Sequence, residues 1–215
     1  MFFFNEGANI KCLINKTTLF LFKFSFFCCL LAYSFNNQFV SIMIVVLMGY
    51  MGSGKSTIGK KLATVLNYNF LDLDDYLINK EEASISEIFK TKGEIYFRKK
   101  ETEYLKKLIS SSENLVLALG GGTPCYGENI DVLTSHLKVA LFYLKLSIPL
   151  LAERLFKERE KRPLINHLNS EDELLEFIGK HLFERVHYYN QAKYTISTDN
   201  KPQQAVVECI LTHLI

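Results

Sequence analysis

The sequence predicts a three-layer α/β/α fold, a parallel sheet with helices on both faces. Three observations carry this. From Met43 onward short apolar runs alternate with amphipathic stretches, and strands separated by helices are joined by crossovers that leave them parallel. The first run, IVVLM at 44–48, is continuously apolar, as a strand buried on both faces must be. That run leads directly into Gly49-Tyr50-Met51-Gly52-Ser53-Gly54-Lys55-Ser56. This loop fits GxxxxGK[ST] at every fixed position, with a strand before it and a helix after. A chain of 215 residues suits one such domain with a real core.

The elements follow in order. Residues 54–66 read as a helix with Ile58, Leu62, Val65 and Leu66 on one face. NFLDLDD, 69–75, reads as a second strand that ends in acids. Ser84 begins a short helix, and Glu87 three positions later completes a capping-box pattern. Gly93 stands where that helix stops. Residues 94–110 form a charged amphipathic helix, and 114–119 a strand that runs into Gly120, Gly121 and Gly122. A further strand spans 138–146. Helical patterns lie near 148–157 and 171–190, with a last strand at 193–198 and a last helix at 202–214. No internal repeat or low-complexity linker interrupts 43–215, which reads as one domain.

Residues 1–42 differ in character. They hold ten of the seventeen Phe and three of the five Cys, with Glu6, Lys11, Lys16 and Lys23 as their only charges. Three readings stay open. One is a signal peptide with Lys11 and Lys16 as its n-region. Another is a membrane anchor, in which Lys23 interrupts an apolar stretch barely ~20 residues long. The third is an upstream extension absent from the mature protein, since Met43 directly precedes the first strand. From Met43 onward basic and acidic residues are equal in number. Such a body has no bulk attraction for nucleic acid or an anionic membrane, so an anion site must be local. Cys125 and Cys209 belong to no CxxC or Cys/His cluster, which fits a reducing compartment without zinc or disulfides. The expectation is a cytoplasmic protein. The histidines, His136 and His187 included, show no partner pattern.

The chemistry concentrates at a few places. Glycines at the phosphate loop let backbone N–H groups converge on an anion, and the following helix adds its positive end. Lys55 would reach the β- and γ-phosphates, and the Ser56 hydroxyl would hold Mg²⁺. Asp72 and Asp74 would share one face of the second strand and project into the ligand crevice. One would assist the metal, and the other would accept a hydrogen bond from a substrate hydroxyl. The bland alternative is a solvated strand end with Asp75 as a helix cap. Arg98 and Glu101, three apart on a helix, are either a surface ion pair or the setting of a guanidinium fork for a carboxylate. Three adjacent glycines, 120–122, offer bare backbone to a ligand. KEREKRPLI, 157–165, is either a solvated loop or a mobile lid that brings Arg162 over the phosphates. Arg185, on a helix among aromatic residues, is another candidate anion fork.

Taken together, GYMGSGKST, the D-x-D of DLDD, F-R-x-x-E at 97–101, GGG at 120–122, RPL at 162–164 and E-R-x-x-x-Y at 184–189 resemble the shikimate kinase family across nearly all of 43–215. The resemblance implies the nucleoside-monophosphate-kinase branch of P-loop proteins, with a five-stranded parallel sheet. It implies transfer of the γ-phosphoryl of ATP to the 3-hydroxyl of shikimate, on the route to aromatic amino acids. Gly52, Ser53, Gly54, Lys55, Ser56 and Thr57 would bind ATP, and Ser56 with Asp72 would hold Mg²⁺. Asp74 would bind the reacting hydroxyl. Arg98 and Arg185 would clamp the shikimate carboxylate, with Gly120, Gly121 and Gly122 against the ring hydroxyls. Arg162 would close from a lid near 156–166, and Lys201 would lie against adenine. Lys55, Asp74 and Arg162 form the implied catalytic set. The partners would be ATP and shikimate, the protein a monomer. A related small-molecule kinase of gluconate type, or a membrane-tethered nucleotide-binding protein, are the rival readings.

Overall fold

A computed structural model describes residues 43–214; the readings of 1–42 lie outside them. Five parallel strands form one sheet in the order β2-β3-β1-β4-β5. They are β1 (Ile44–Met48), β2 (Asn69–Asp72), β3 (Leu115–Ala118), β4 (Val139–Lys145) and β5 (Tyr194–Ser197). The helices are α1 (Lys55–Leu66), α2 (Leu73–Glu81), α3 (Ile85–Thr91), α4 (Gly93–Ser111), α5 (Asn129–Ser135), α6 (Ile148–Glu158), α7 (Glu171–Tyr189) and α8 (Gln203–Leu211).

β1 is central. Ile44 registers with Leu115 of β3 on one side and Val139 of β4 on the other, and all five β1 residues are fully buried. Its side chains alternate between two cores, as strand geometry demands. Ile44, Val46 and Met48 meet residues of α4, α5, α6 and α7. Val45 and Leu47 meet α1 and α8 through Ile58, Leu62, Val207 and Ile210. Full burial of each such side chain contributes roughly 1.5–3 kcal/mol, so the strand that carries the phosphate loop is firmly held.

Several expectations are corrected. β2 ends at Asp72, and 73–75 belong to α2. Asp72, not Asp75, is the cap: its carboxylate accepts from the Asp74 backbone N–H at 3.1 Å. The strand therefore stops where a side chain satisfies the first turn of a helix, and Asp72 and Asp74 do not alternate along one strand. Val65 is 46% exposed. Ile58, Leu62 and Leu66 align on the buried face, and Gly59 and Ala63 fill the rest of it. The run between the glycines and β4 holds α5, which no periodic pattern announced because it spans only seven residues. Gly93 follows the Lys92 cap of α3 and also begins α4, so one residue ends one helix and starts the next. Among the described residues, no helix is long and apolar enough to cross a membrane.

Candidate active site

β1 delivers the loop to the carboxyl edge of the sheet. Gly54 caps α1 at φ +93°, a conformation L side chains rarely adopt, and among the described residues the start of α1 has no side-chain cap hydrogen bond. Those donors, with no acidic residue in the first turn, are an anion site. Lys55 folds back over the loop and donates from Nζ to the carbonyls of Gly49 at 2.9 Å and Tyr50 at 3.0 Å. Burial pulls its ammonium down to about 8, opposed by Asp72 and Asp74 and assisted by Arg162. A lysine so desolvated gains most from an incoming phosphate.

The acids lie opposite. Ser56 Oγ donates to Asp72 Oδ2 at 2.7 Å, which brings a hydroxyl and a carboxylate together beside the loop. Asp74, in the first turn of α2, is pushed up to about 6 by burial, with Asp72 and Glu101 adding like charge and Lys55 and Arg98 opposing. It rests against Gly120, where a Cβ would stand 2.8 Å from Asp74 Oδ1 and 2.9 Å from Thr123 Oγ1. Only glycine leaves that carboxylate its place.

Arg98, on α4, is held by its neighbours. Its Nη1 donates to Glu101 at 2.9 Å, and its guanidinium stacks 3.7 Å from the Tyr126 ring centroid. Both Nη atoms would lie 3.4 Å from a Cβ at Gly122. Glu101 is 1% exposed and also accepts from Thr123 Oγ1 at 2.6 Å. The Arg98–Glu101 pair is thus a buried fixture, not the surface pair of the bland reading. Arg185 lies over the Tyr50 ring at 5.8 Å, and among the described residues it has no carboxylate partner. Tyr189, one turn beyond it on α7, donates to the Gly121 carbonyl at 2.5 Å.

A cleft of about 630 Å³ runs along this edge. Its walls bring together Gly52, Ser53, Gly54, Lys55, Ser56, Thr57, Asp72, Asp74, Gly120, Gly121, Arg162 and Lys201. Gly122, Arg98 and Arg185 are not in those walls; the Arg98 guanidinium lies against Gly122 and Tyr126, and Arg185 over the Tyr50 ring. Arg162 reaches the cleft from the end of α6 and is held by Glu158, which accepts from Nη2 at 2.6 Å and Nε at 3.2 Å. The segment 156–166 is anchored at its far end by Ile165, fully buried in the main core. Arg154 also lines the cleft and donates to the Gly52 carbonyl at 3.4 Å. Nothing in its amphipathic helix distinguishes Arg154 from a solvated arginine, so no sequence signal marks it.

The cleft thus brings the phosphate-loop residues, Asp72 and Asp74, Gly120–Gly121 and Arg162 to one edge of the sheet. The shikimate kinase family model matches residues 51–215. A shikimate kinase of Flavobacterium johnsoniae is 47% identical over 167 residues, 78% of this chain and 96% of the relative. The solved shikimate kinase of Bacteroides thetaiotaomicron superposes with a TM-score of 0.74 at 31% identity, over 81% of this chain and 99% of that one. That of Acinetobacter baumannii in complex with shikimate gives 0.72 at 33% identity, over 83% and 96%.

Proposed function

The chain belongs to the shikimate kinase family, and from that premise we propose how its pocket moves the γ-phosphoryl of ATP to the 3-hydroxyl of shikimate. The observation that carries the proposal is a single cleft in which Asp74 and Gly120–Gly121 face the Gly52–Thr57 loop. The donor phosphate and the acceptor hydroxyl can then meet without crossing solvent.

The loop amides and Lys55 bind the β- and γ-phosphates, and Arg162 approaches the transferred group from the segment after α6. Phosphoryl transfer asks mainly for alignment and charge at the transferring oxygens. Asp74 accepts the hydrogen bond of the attacking hydroxyl and, in its ionised form, takes up the proton. Arg98, fixed by Glu101 and Tyr126, and Arg185 hold the carboxylate of the acceptor. Gly120, Gly121 and Gly122 admit its ring close to backbone. Lys201 lies toward the adenine side.

Mg²⁺ fits the Ser56–Asp72 pair. The donors are hard oxygens 2.7 Å apart, and no group of three or more His, Cys, Asp or Glu among the described residues offers a protein-only cage. Such a site suits an ion that keeps waters and phosphate oxygens as its other ligands. When bound, it neutralises charge on the β- and γ-phosphates. The protein acts as a monomer in this reading, and the need for ATP supports a cytoplasmic setting.

The test is ADP release with shikimate and, separately, with gluconate as acceptor. Release that depends on shikimate and yields shikimate 3-phosphate is expected. Equal or greater turnover on gluconate would overturn the substrate assignment.

A further inference from the structure

We propose that His181 is a positioning residue for Arg185: through the Tyr50 hydroxyl it ties the acceptor-side arginine to the phosphate loop, and it does so while its ring is uncharged. The inference rests on the reading of Arg185 as a clamp for the shikimate carboxylate.

Three observations carry it. Tyr50 is the second residue of the phosphate loop and is 1% exposed. It is engaged from three directions. Its carbonyl accepts from Lys55 Nζ at 3.0 Å, its hydroxyl lies 3.2 Å from His181 Nδ1, and Arg185 covers its ring at 5.8 Å. His181 and Arg185 are one turn apart on α7 and share a face. His181 is itself fixed, its ring 4.1 Å from that of Phe177 and edge-on to Tyr50. The loop that grips ATP and the helix that grips the acceptor therefore meet at one hydrogen bond.

Charge on His181 would undo this arrangement. Neutral imidazole offers Nδ1 as acceptor to the Tyr50 hydroxyl. Protonation replaces the acceptor with a donor and puts a cation one turn from Arg185, where like charges repel. The groups facing His181 are Tyr50 from the loop and Glu184 and Arg185 on its own helix, with His167 beyond Phe177. Burial and Arg185 together hold the imidazole below its usual range, against Glu184. Burial thus favours the uncharged ring, and the tether weakens on the acid side.

The test is the pH profile of KM for shikimate, KM for ATP and kcat, measured on the full chain with His181→Leu, His181→Gln, Tyr50→Phe and Arg185→Ala. His181→Leu and Tyr50→Phe should each raise KM for shikimate about 3- to 10-fold, the value of one hydrogen bond. In His181→Leu, KM for ATP should stay within about 2-fold. His181→Gln keeps a partner for Tyr50 but cannot titrate in this range. It should restore KM for shikimate at neutral pH and make the acid rise in that KM smaller than in the unmodified protein, the remaining limb being that of Asp74. An unchanged KM in His181→Leu, or an acid rise as large in His181→Gln as in the unmodified protein, would overturn the inference if Arg185→Ala still weakens shikimate binding. Were Arg185→Ala itself without effect, the clamp reading would fail first and this inference with it.

Discussion

Asp74 shows how much one residue's setting decides. On its own it is an acid near a helix start. Burial, with Asp72 and Glu101 adding like charge, pushes its carboxyl up to about 6, close enough to neutrality to exchange a proton with an alcohol during transfer. Asp74→Asn should lower kcat by about 10²- to 10⁴-fold while calorimetry finds ATP binding intact. Near-normal turnover would remove Asp74 from the mechanism. The carboxylate is ionised above its pKa, so kcat/KM for shikimate should fall as pH drops through about 6, and Asp74→Asn should lack that limb. Gly120→Ala tests the same position from the other side. A Cβ 2.8 Å from Asp74 Oδ1 displaces the carboxylate, and kcat should drop by about 10²-fold with little change in thermal midpoint.

At the scale of elements, α2 and α4 must keep a fixed spacing, because one carries Asp74 and the other Arg98. Glu81, at the end of α2, accepts from Tyr96 at 2.6 Å, Tyr104 at 2.7 Å and Lys92 at 3.0 Å. Tyr96 and Tyr104 flank Arg98 on α4. The Glu81 side chain is only 7% exposed, so these bonds are little diluted by water. They lower its carboxyl from 4.5 to about 2, the Tyr96 bond most and then those of Tyr104 and Lys92. A carboxylate depressed in the folded state adds stability that is complete above the unfolded value of 4.5 and disappears as pH falls toward about 2. Glu81→Gln should therefore cost about 2 kcal/mol at neutral pH, roughly 4–8 °C in thermal midpoint. Its melts should also vary less between pH 5 and pH 3 than those of the parent. A variant as stable as the parent at pH 7 would show that the three bonds contribute nothing net.

At the scale of the whole molecule, relatives align over nearly their full length with about four-fifths of this chain. The expectation is that a chain starting at Met43 supports full shikimate-dependent turnover, measured beside the full-length protein. A loss of more than about 10-fold in kcat/KM, about 1.4 kcal/mol of transition-state stabilisation, would assign residues 1–42 a part in the enzyme. The body itself was largely readable. Apolar runs with interposed amphipathic stretches fix a parallel sheet with helices on both sides, since only that arrangement buries both faces of Ile44–Met48. GxxxxGK[ST] fixes the phosphate loop because its chemistry is carried by backbone and one lysine within a single short segment. What lay beyond the sequence was which polar groups packing brings together. That Arg154 reaches the Gly52 carbonyl and that His181 meets Tyr50 are contacts between residues 102 and 131 apart, and the Arg98–Glu101 pair, visible as a spacing, is taken out of solvent only by what packs over Glu101. Local pattern encodes which face of an element is apolar. It does not encode which polar groups packing brings within hydrogen-bond reach, because that depends on how separate elements meet once their apolar faces are buried.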